Sequence, residues 1–163
     1  MEIFYKSLRI GKHGKPFWLI KFRSMVLGAE KMGSQSTAAD DVRFTRIGRF
    51  LRKWKIDELP QIINLIRGDL VLVGPRPTIP EVIATLTPEE KEVILSVKPG
   101  ITGLGSLYDY NEEEKLKGSS DPHQKFLEEI YPEIIKREIW YIKHKSLWLD
   151  LKILFFTLSR ILF

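Results

Sequence analysis

The stretch KIDELPQIINLIRGD, residues 55 to 69, sets Asp57 and Glu58 side by side at the head of an apolar-periodic run. Two adjacent carboxylates can divide the work of a reaction at phosphate, one attacking while its neighbour holds a divalent cation through oxygen. Leu59, Ile62, Ile63 and Ile66 follow the i, i+3, i+4, i+7 spacing of a helix that buries one face, and Gly68 after Arg67 is a C-terminal stop. On that spacing Asp57 is the N-cap and Glu58 the first helical residue, and capping is an ordinary duty for Asp. A helix N-terminus is also an anion site that keeps a carboxylate ionised. Successive helical residues project about 100° apart, so the two carboxylates diverge, yet both can reach a ligand lying across the helix end. Spacing alone leaves cap and nucleophile both open.

Two further stretches carry groups suited to anions. LVLVGPRP reads as a short buried strand that delivers Pro75-Arg76-Pro77, an arginine fixed between two residues of restricted φ and suited to bidentate phosphate recognition. KPGITG, residues 98 to 103, reads as a second rigid loop. Gly14-Lys15 is not a phosphate loop, because Pro16 stands where that motif requires Ser or Thr.

The elements that must position these groups begin with two β-rich runs, near residues 3 to 10 and 17 to 22, joined by a Gly-Lys-His-Gly turn. Residues 28 to 41 read as a polar surface loop or flap, and 111 to 122, NEEEKLKGSSDP, as a second solvated stretch. In VRFTRIGRFLRKWK, Arg43, Arg46, Arg49 and Arg52 recur every third residue among Phe44, Ile47, Phe50, Leu51 and Trp54. That pattern suits a surface helix with a solvated basic face, or a helix lying in an anionic lipid interface. SLWLDLKILFFTLSRILF, residues 146 to 163, is apolar around nearly its whole circumference, while Asp150, Lys152 and Arg160 keep it from spanning a bilayer. It must be covered, by a core or by a membrane interface.

Composition bounds the rest. A chain of 163 residues with 44% apolar residues builds one core and one domain, and a formal charge of +5 draws it to anions. The absence of cysteine excludes disulfides and thiolate chemistry, and His13, His123 and His144 stand too far apart for a histidine metal site. No signature of a nucleic-acid module accompanies the charge, so nucleic acid is not an expected partner.

KFRSM (21 to 25), TRIGRFLRKWKIDELPQIINLIRGDLVLVGPRP (45 to 77), KPGITG (98 to 103) and SLWLDLKIL (146 to 154), in this order, resemble the bacterial sugar transferase family, the monotopic phosphoglycosyl transferases. The resemblance runs over essentially the whole chain, 1–163, as one catalytic domain. It implies transfer of sugar 1-phosphate from a nucleotide diphosphate sugar, usually a UDP-sugar, to undecaprenyl phosphate, with release of UMP, at the start of surface polysaccharide, capsule or glycan assembly. By resemblance Asp57 is the nucleophile, and Glu58 is associated with Mg²⁺ and with activating the lipid acceptor. Lys21, Arg23 and the Pro75-Arg76-Pro77 loop then lie near the nucleotide sugar. The implied place is the cytoplasmic face of the bacterial inner membrane. Family members carry a hydrophobic membrane helix before the first hairpin, whereas this chain begins almost at the hairpin. After KPGITG many relatives continue with Gln-Val and Gly-Arg-Asn, where this chain reads LGSLYDYNEEE, a region expected to shape the sugar end. The expected architecture is a helix-rich α+β domain with a small N-terminal β-hairpin, its basic and apolar amphipathic helices sharing one membrane-facing side.

Overall fold

The computed structural model describes residues 3–33 and 36–162. Phe163 and two positions of the 28–41 loop, Ser34 and Gln35, lie outside that set. The N-terminal hairpin forms as expected: β1 (Phe4–Ile10) pairs antiparallel with β2 (Pro16–Phe22), from Phe4 opposite Phe22 to Ile10 opposite Pro16. The turn closes through His13 (φ 58°) and Gly14 (φ 74°), both left-handed, and glycine adopts that conformation without penalty.

Helix α1 (Arg46–Lys53) starts where Thr45 Oγ1 accepts the Gly48 N–H at 2.9 Å. Gly48 lies against the backbone of Ser24 so closely that a Cβ there would stand 1.7 Å from Ser24 O. The chain then turns through a 3₁₀ segment (Ile56–Gln61) into α2 (Ile62–Arg67), which Gly68 ends in the expected left-handed conformation. β3 (Val71–Val73) runs parallel to β4 (Gly100–Thr102), so the KPGITG stretch holds a strand rather than only a loop. Between them lie α3 (Pro80–Ala84) and α4 (Pro88–Leu95), the latter opened by a Thr87/Glu90 capping box. Short helices α5 (Leu104–Tyr108), α6 (Glu112–Leu116) and α7 (Pro122–Lys125) follow. One π-type turn (Phe126–Ile130) leads into α8 (Tyr131–Lys143), and α9 (Leu147–Leu162) is the last described element. The result is a helix-rich α+β fold, as expected.

Two apolar clusters hold it together. The larger joins Val82, Leu86, Ile94, Leu116, Ile130, Ile134 and Ile135. The smaller sets Val73, Tyr141 and Ile153 together, so α8 and α9 clasp the parallel pair. There the Tyr141 hydroxyl lies 2.6 Å from Asp150 Oδ1, and Thr102 and Thr157 share a hydrogen bond at 2.8 Å. Among the described residues no helix is long and apolar enough to cross a membrane.

Three expectations need correction. The helix after the dyad does not bury its apolar stripe: Leu59, Ile62 and Ile66 are 63%, 57% and 81% exposed, while Asp57, Pro60, Gln61 and Asn64 are buried. The polarity of this segment is inverted. Of the two covers open to α9, the core takes only part: Ile153 is buried, while Leu147, Trp148, Phe155, Phe156 and Leu158 are exposed. The 28–41 loop is more than a polar surface loop, because Ala29, Ser36 and Ala38 are buried. The 111–122 stretch is not simply solvated, because α6 forms inside it and sinks Leu116 completely.

Candidate active site

Asp57 is not an N-cap. The residue before the 3₁₀ turn is Lys55, a non-glycine residue held at φ 54°, and Asp57 lies within the first turn. A left-handed lysine beside a reactive pair is a local strain that surrounding contacts must maintain. Two contacts do so: Lys55 N–H donates to Arg52 O at 3.0 Å, and its ammonium sits over the Tyr110 ring at 5.2 Å. From the other side Asn64, with no exposed surface, locks the segment to β2. Its amide donates to Trp18 O at 2.8 Å and Asp69 Oδ2 at 3.0 Å, and its Oδ1 accepts the Ile20 N–H at 3.1 Å. The buried polar side of the turn therefore aims the dyad toward the hairpin.

The two carboxylates meet different surroundings. Glu58 Oε1 accepts from the Lys21 ammonium at 2.9 Å, with 30% and 21% of the two side chains exposed. Burial alone would raise the Glu58 carboxyl, but Lys21 and Arg76 outweigh it and hold the group at about 2. Burial lowers the Lys21 ammonium, with Glu58 opposing. Asp57 is only 4% exposed, and no hydrogen bond engages its carboxylate among the described residues. Burial raises its pKa, and the Lys21 charge acts against that. This differs from the helix-terminus expectation, in which backbone N–H groups would hold it ionised.

The Pro75-Arg76-Pro77 loop faces the dyad. Both prolines are buried, and they leave Arg76 N–H as the triplet's single backbone donor, which Glu138 Oε1 of α8 accepts at 3.2 Å. The Arg76 side chain keeps 42% of its surface and pairs with Glu112 Oε2 at 3.4 Å. Burial would lower its pKa, but Glu112, Glu58, Asp109 and Glu138 together raise it. Arg9 joins this cationic group by donating to Pro77 O at 3.4 Å, its pKa lowered to about 10 by burial and by Arg76. Arg52 of α1 donates to Glu113 Oε1 at 2.6 Å. Arg23 stands at the hairpin side of the cleft, over the Tyr5 ring at 5.6 Å and donating to Phe4 O at 3.5 Å.

Lys21, Arg23, Asp57, Glu58, Pro75, Arg76 and Pro77 thus all line one cleft of about 980 Å³. Sequence reasoning missed Arg9, Arg52, Glu112, Glu113 and Glu138 as parts of it. Glu112 and Glu113 were visible as an acidic run, but pairing with arginines far away in sequence has no local signature. Chemically the cleft offers an unengaged carboxylate beside an ionised one, together with the cations Lys21, Arg9 and Arg76, an arrangement suited to a bound diphosphate. Among the described residues no three acidic or histidine side chains gather around one metal position. Mg²⁺ commonly takes one or two carboxylates and completes its shell with water and substrate phosphate, and the hard oxygens of Glu58 fit that mode.

Comparison with known proteins agrees with this chemistry. The family described as bacterial sugar transferase matches residues 1–163. The uncharacterized sugar transferase EpsL of Bacillus subtilis (strain 168) is 39% identical over 160 residues, which cover 98% of this chain and 70% of that protein. The undecaprenyl-phosphate galactose phosphotransferase of Salmonella typhimurium is 33% identical over 173 residues, covering 97% of this chain and 33% of that protein. The UDP-glucose:undecaprenyl-phosphate glucose-1-phosphate transferase of Klebsiella pneumoniae is 33% identical over 165 residues, covering 97% and 32% respectively. This chain therefore spans about a third of the length of the latter two relatives. With the match running from its first residue to its last, the chain belongs to the bacterial sugar transferase family.

Proposed function

We propose that this chain transfers sugar 1-phosphate from a UDP-sugar to undecaprenyl phosphate through a covalent intermediate on Asp57. The observation that carries the reading is the division within the dyad: Glu58 is engaged by Lys21, and Asp57, its neighbour, is buried with no hydrogen bond on its carboxylate among the described residues. A carboxylate in that state keeps its lone pairs for attack. The printed names of the Salmonella and Klebsiella relatives supply the donor and acceptor classes.

In the first half-reaction an Asp57 oxygen forms a bond to the sugar-bearing phosphorus as the bond from that phosphorus to the oxygen bridging to UMP breaks. UMP leaves with the electron pair, and a phosphosugar remains on the carboxylate. In the second, an oxygen of undecaprenyl phosphate attacks the same phosphorus, giving undecaprenyl diphosphosugar and returning Asp57. Lys21, Arg9 and Arg76 neutralise the diphosphate, and Pro75 and Pro77 hold Arg76 in place for it. Glu58 would hold Mg²⁺, which would supply further charge neutralisation on the phosphates. The outward apolar residues of the 3₁₀ turn, α2 and α9 are read as a membrane-facing surface, which brings a lipid acceptor to the dyad from the cytoplasmic face of the bacterial inner membrane. The product is the first lipid-linked sugar of a surface glycan.

The test is UMP release from UDP-glucose, UDP-galactose and UDP-N-acetylgalactosamine with Mg²⁺ and undecaprenyl phosphate in detergent. Release that Asp57→Asn abolishes is expected. Release that survives in Asp57→Asn overturns the assignment of the nucleophile.

A further inference from the structure

Three buried side-chain atoms are without a hydrogen-bond partner among the described residues: Asp109 Oδ2, the Tyr131 hydroxyl and Glu138 Oε2. Their residues are 2%, 5% and 1% exposed, and all three line the cleft that holds the dyad. Orphaned buried polar atoms are rare in native proteins, and several around one cleft call for a missing partner.

Tyr131 and Glu138 stand seven residues apart on α8 and so share one face of it; Ile134 and Ile135, between them, line the same cleft. Glu138 Oε1 is engaged by the Arg76 N–H, and only Oε2 is left over. The Tyr131 hydroxyl faces Thr78, whose own hydroxyl donates to Arg76 O at 3.0 Å, yet no hydrogen bond forms between the two among the described residues. Asp109 Oδ1 is paired with Lys115 at 3.1 Å, while the Asp109 carboxyl lies beside Glu112, with which it can hydrogen-bond only if one of them carries a proton. Burial pushes both Asp109 and Glu138 up to about 7, so near neutral pH each can accept or donate.

The chemistry of the missing partner follows from what surrounds these atoms. Asp109, Glu112 and Glu138 would repel a phosphate, which belongs instead beside Lys21 and Arg9. The positive charge these acids call for is already present, because Arg76 pairs with Glu112 and Lys115 with Asp109. A neutral ring bearing hydroxyls fits both features: its O–H groups meet carboxylate oxygens and a phenol, and its C–H edges meet Ile134 and Ile135.

We propose that Tyr131 and Glu138, with Asp109, form the subsite for the sugar ring of the donor, on the far side of Arg76 from its diphosphate. The proposal rests on the reading of the donor as a UDP-sugar. These residues would then set which sugar is accepted.

The test is equilibrium binding of UDP, UDP-glucose, UDP-galactose and UDP-N-acetylgalactosamine to the wild-type chain, Tyr131→Phe and Glu138→Gln, together with thermal unfolding without nucleotide. The wild type is expected to prefer one UDP-sugar over UDP. Tyr131→Phe should weaken that sugar's binding roughly tenfold, the effect of one lost hydrogen bond, and leave UDP binding unchanged. Its unfolding midpoint should stay level or rise, because an unpaired buried hydroxyl has been removed. Glu138→Gln, which keeps an acceptor for the Arg76 N–H, should alter the ranking of sugars. Equal weakening of UDP would assign the ring to ribose and overturn the sugar subsite, as would a lowered midpoint with unchanged sugar preference. A wild type that binds UDP and every UDP-sugar alike would overturn the subsite and leave the transfer reaction standing. Binding of no uridine nucleotide at all would overturn the reading of the donor itself.

Discussion

Replacing Lys21 with methionine removes the ammonium that stands 2.9 Å from Glu58 and leaves a largely enclosed carboxylate behind. With 21% and 30% of the two side chains exposed, the pair falls between two regimes. Exposed pairs contribute up to about 1 kcal/mol, and breaking a fully buried pair costs about 3–5 kcal/mol. A coupling of about 2 kcal/mol is therefore expected at neutral pH. The assay is equilibrium denaturation of the wild type, Lys21→Met, Glu58→Gln and the double variant, combined as a double-mutant cycle. The pH dependence follows from the depressed carboxyl. Glu58 titrates at about 2 when folded against an ordinary 4.5, so its stabilisation is present above about 4.5 and is lost as pH falls toward 2. The cycle repeated at pH 3 should show a smaller coupling. In Lys21→Met burial acts with less opposition and the Glu58 carboxyl titrates higher, nearer its unfolded value, so less stability is lost between about pH 4.5 and 2 than in the wild type. A coupling below about 0.5 kcal/mol at neutral pH would show instead that Lys21 is not what keeps Glu58 ionised.

Other perturbations test the frame around the dyad. Gly48→Ala places a Cβ 1.7 Å from Ser24 O, a backbone atom that cannot move aside cheaply. Thermal unfolding should show a loss of about 3 kcal/mol or more. Trp148→Ser and Phe155→Ser change side chains that are 67% and 66% exposed. Each should alter stability by no more than about 0.5 kcal/mol. Each should also weaken co-sedimentation with anionic phospholipid vesicles about tenfold, the scale of one buried apolar side chain. Unchanged vesicle binding would remove α9 from the proposed membrane surface.

Much of the frame was legible because its signals are local. The hairpin follows from two β-rich runs and a glycine turn, and α1 and α9 follow from helical spacing. Periodicity identified Leu59, Ile62 and Ile66 as one face but not its direction, because spacing does not say which side meets solvent. Here Asn64 has three hydrogen bonds waiting inside, and the polar side turned inward. The cap assignment failed for a related reason: Pro60 and a left-handed Lys55 produce a 3₁₀ turn, and the regular helix begins only at Ile62. The residues of the dyad, KFRSM and Pro-Arg-Pro blocks come to one cleft, as their ordered resemblance to a known family implied. Glu138 went unread because a single acid in an apolar-periodic helix looks like a solvated position. Its role depends on Arg76, 62 residues earlier in the chain.

The central claim is that Asp57 carries the phosphosugar. Intact-mass measurement of the chain mixed with UDP-sugars and Mg²⁺, without acceptor, tests it most directly. The expected result is a gain of one phosphosugar that maps to Asp57, disappears on adding undecaprenyl phosphate and never forms in Asp57→Asn. UMP release with no adduct under rapid quench, or an adduct on another residue, would contradict it.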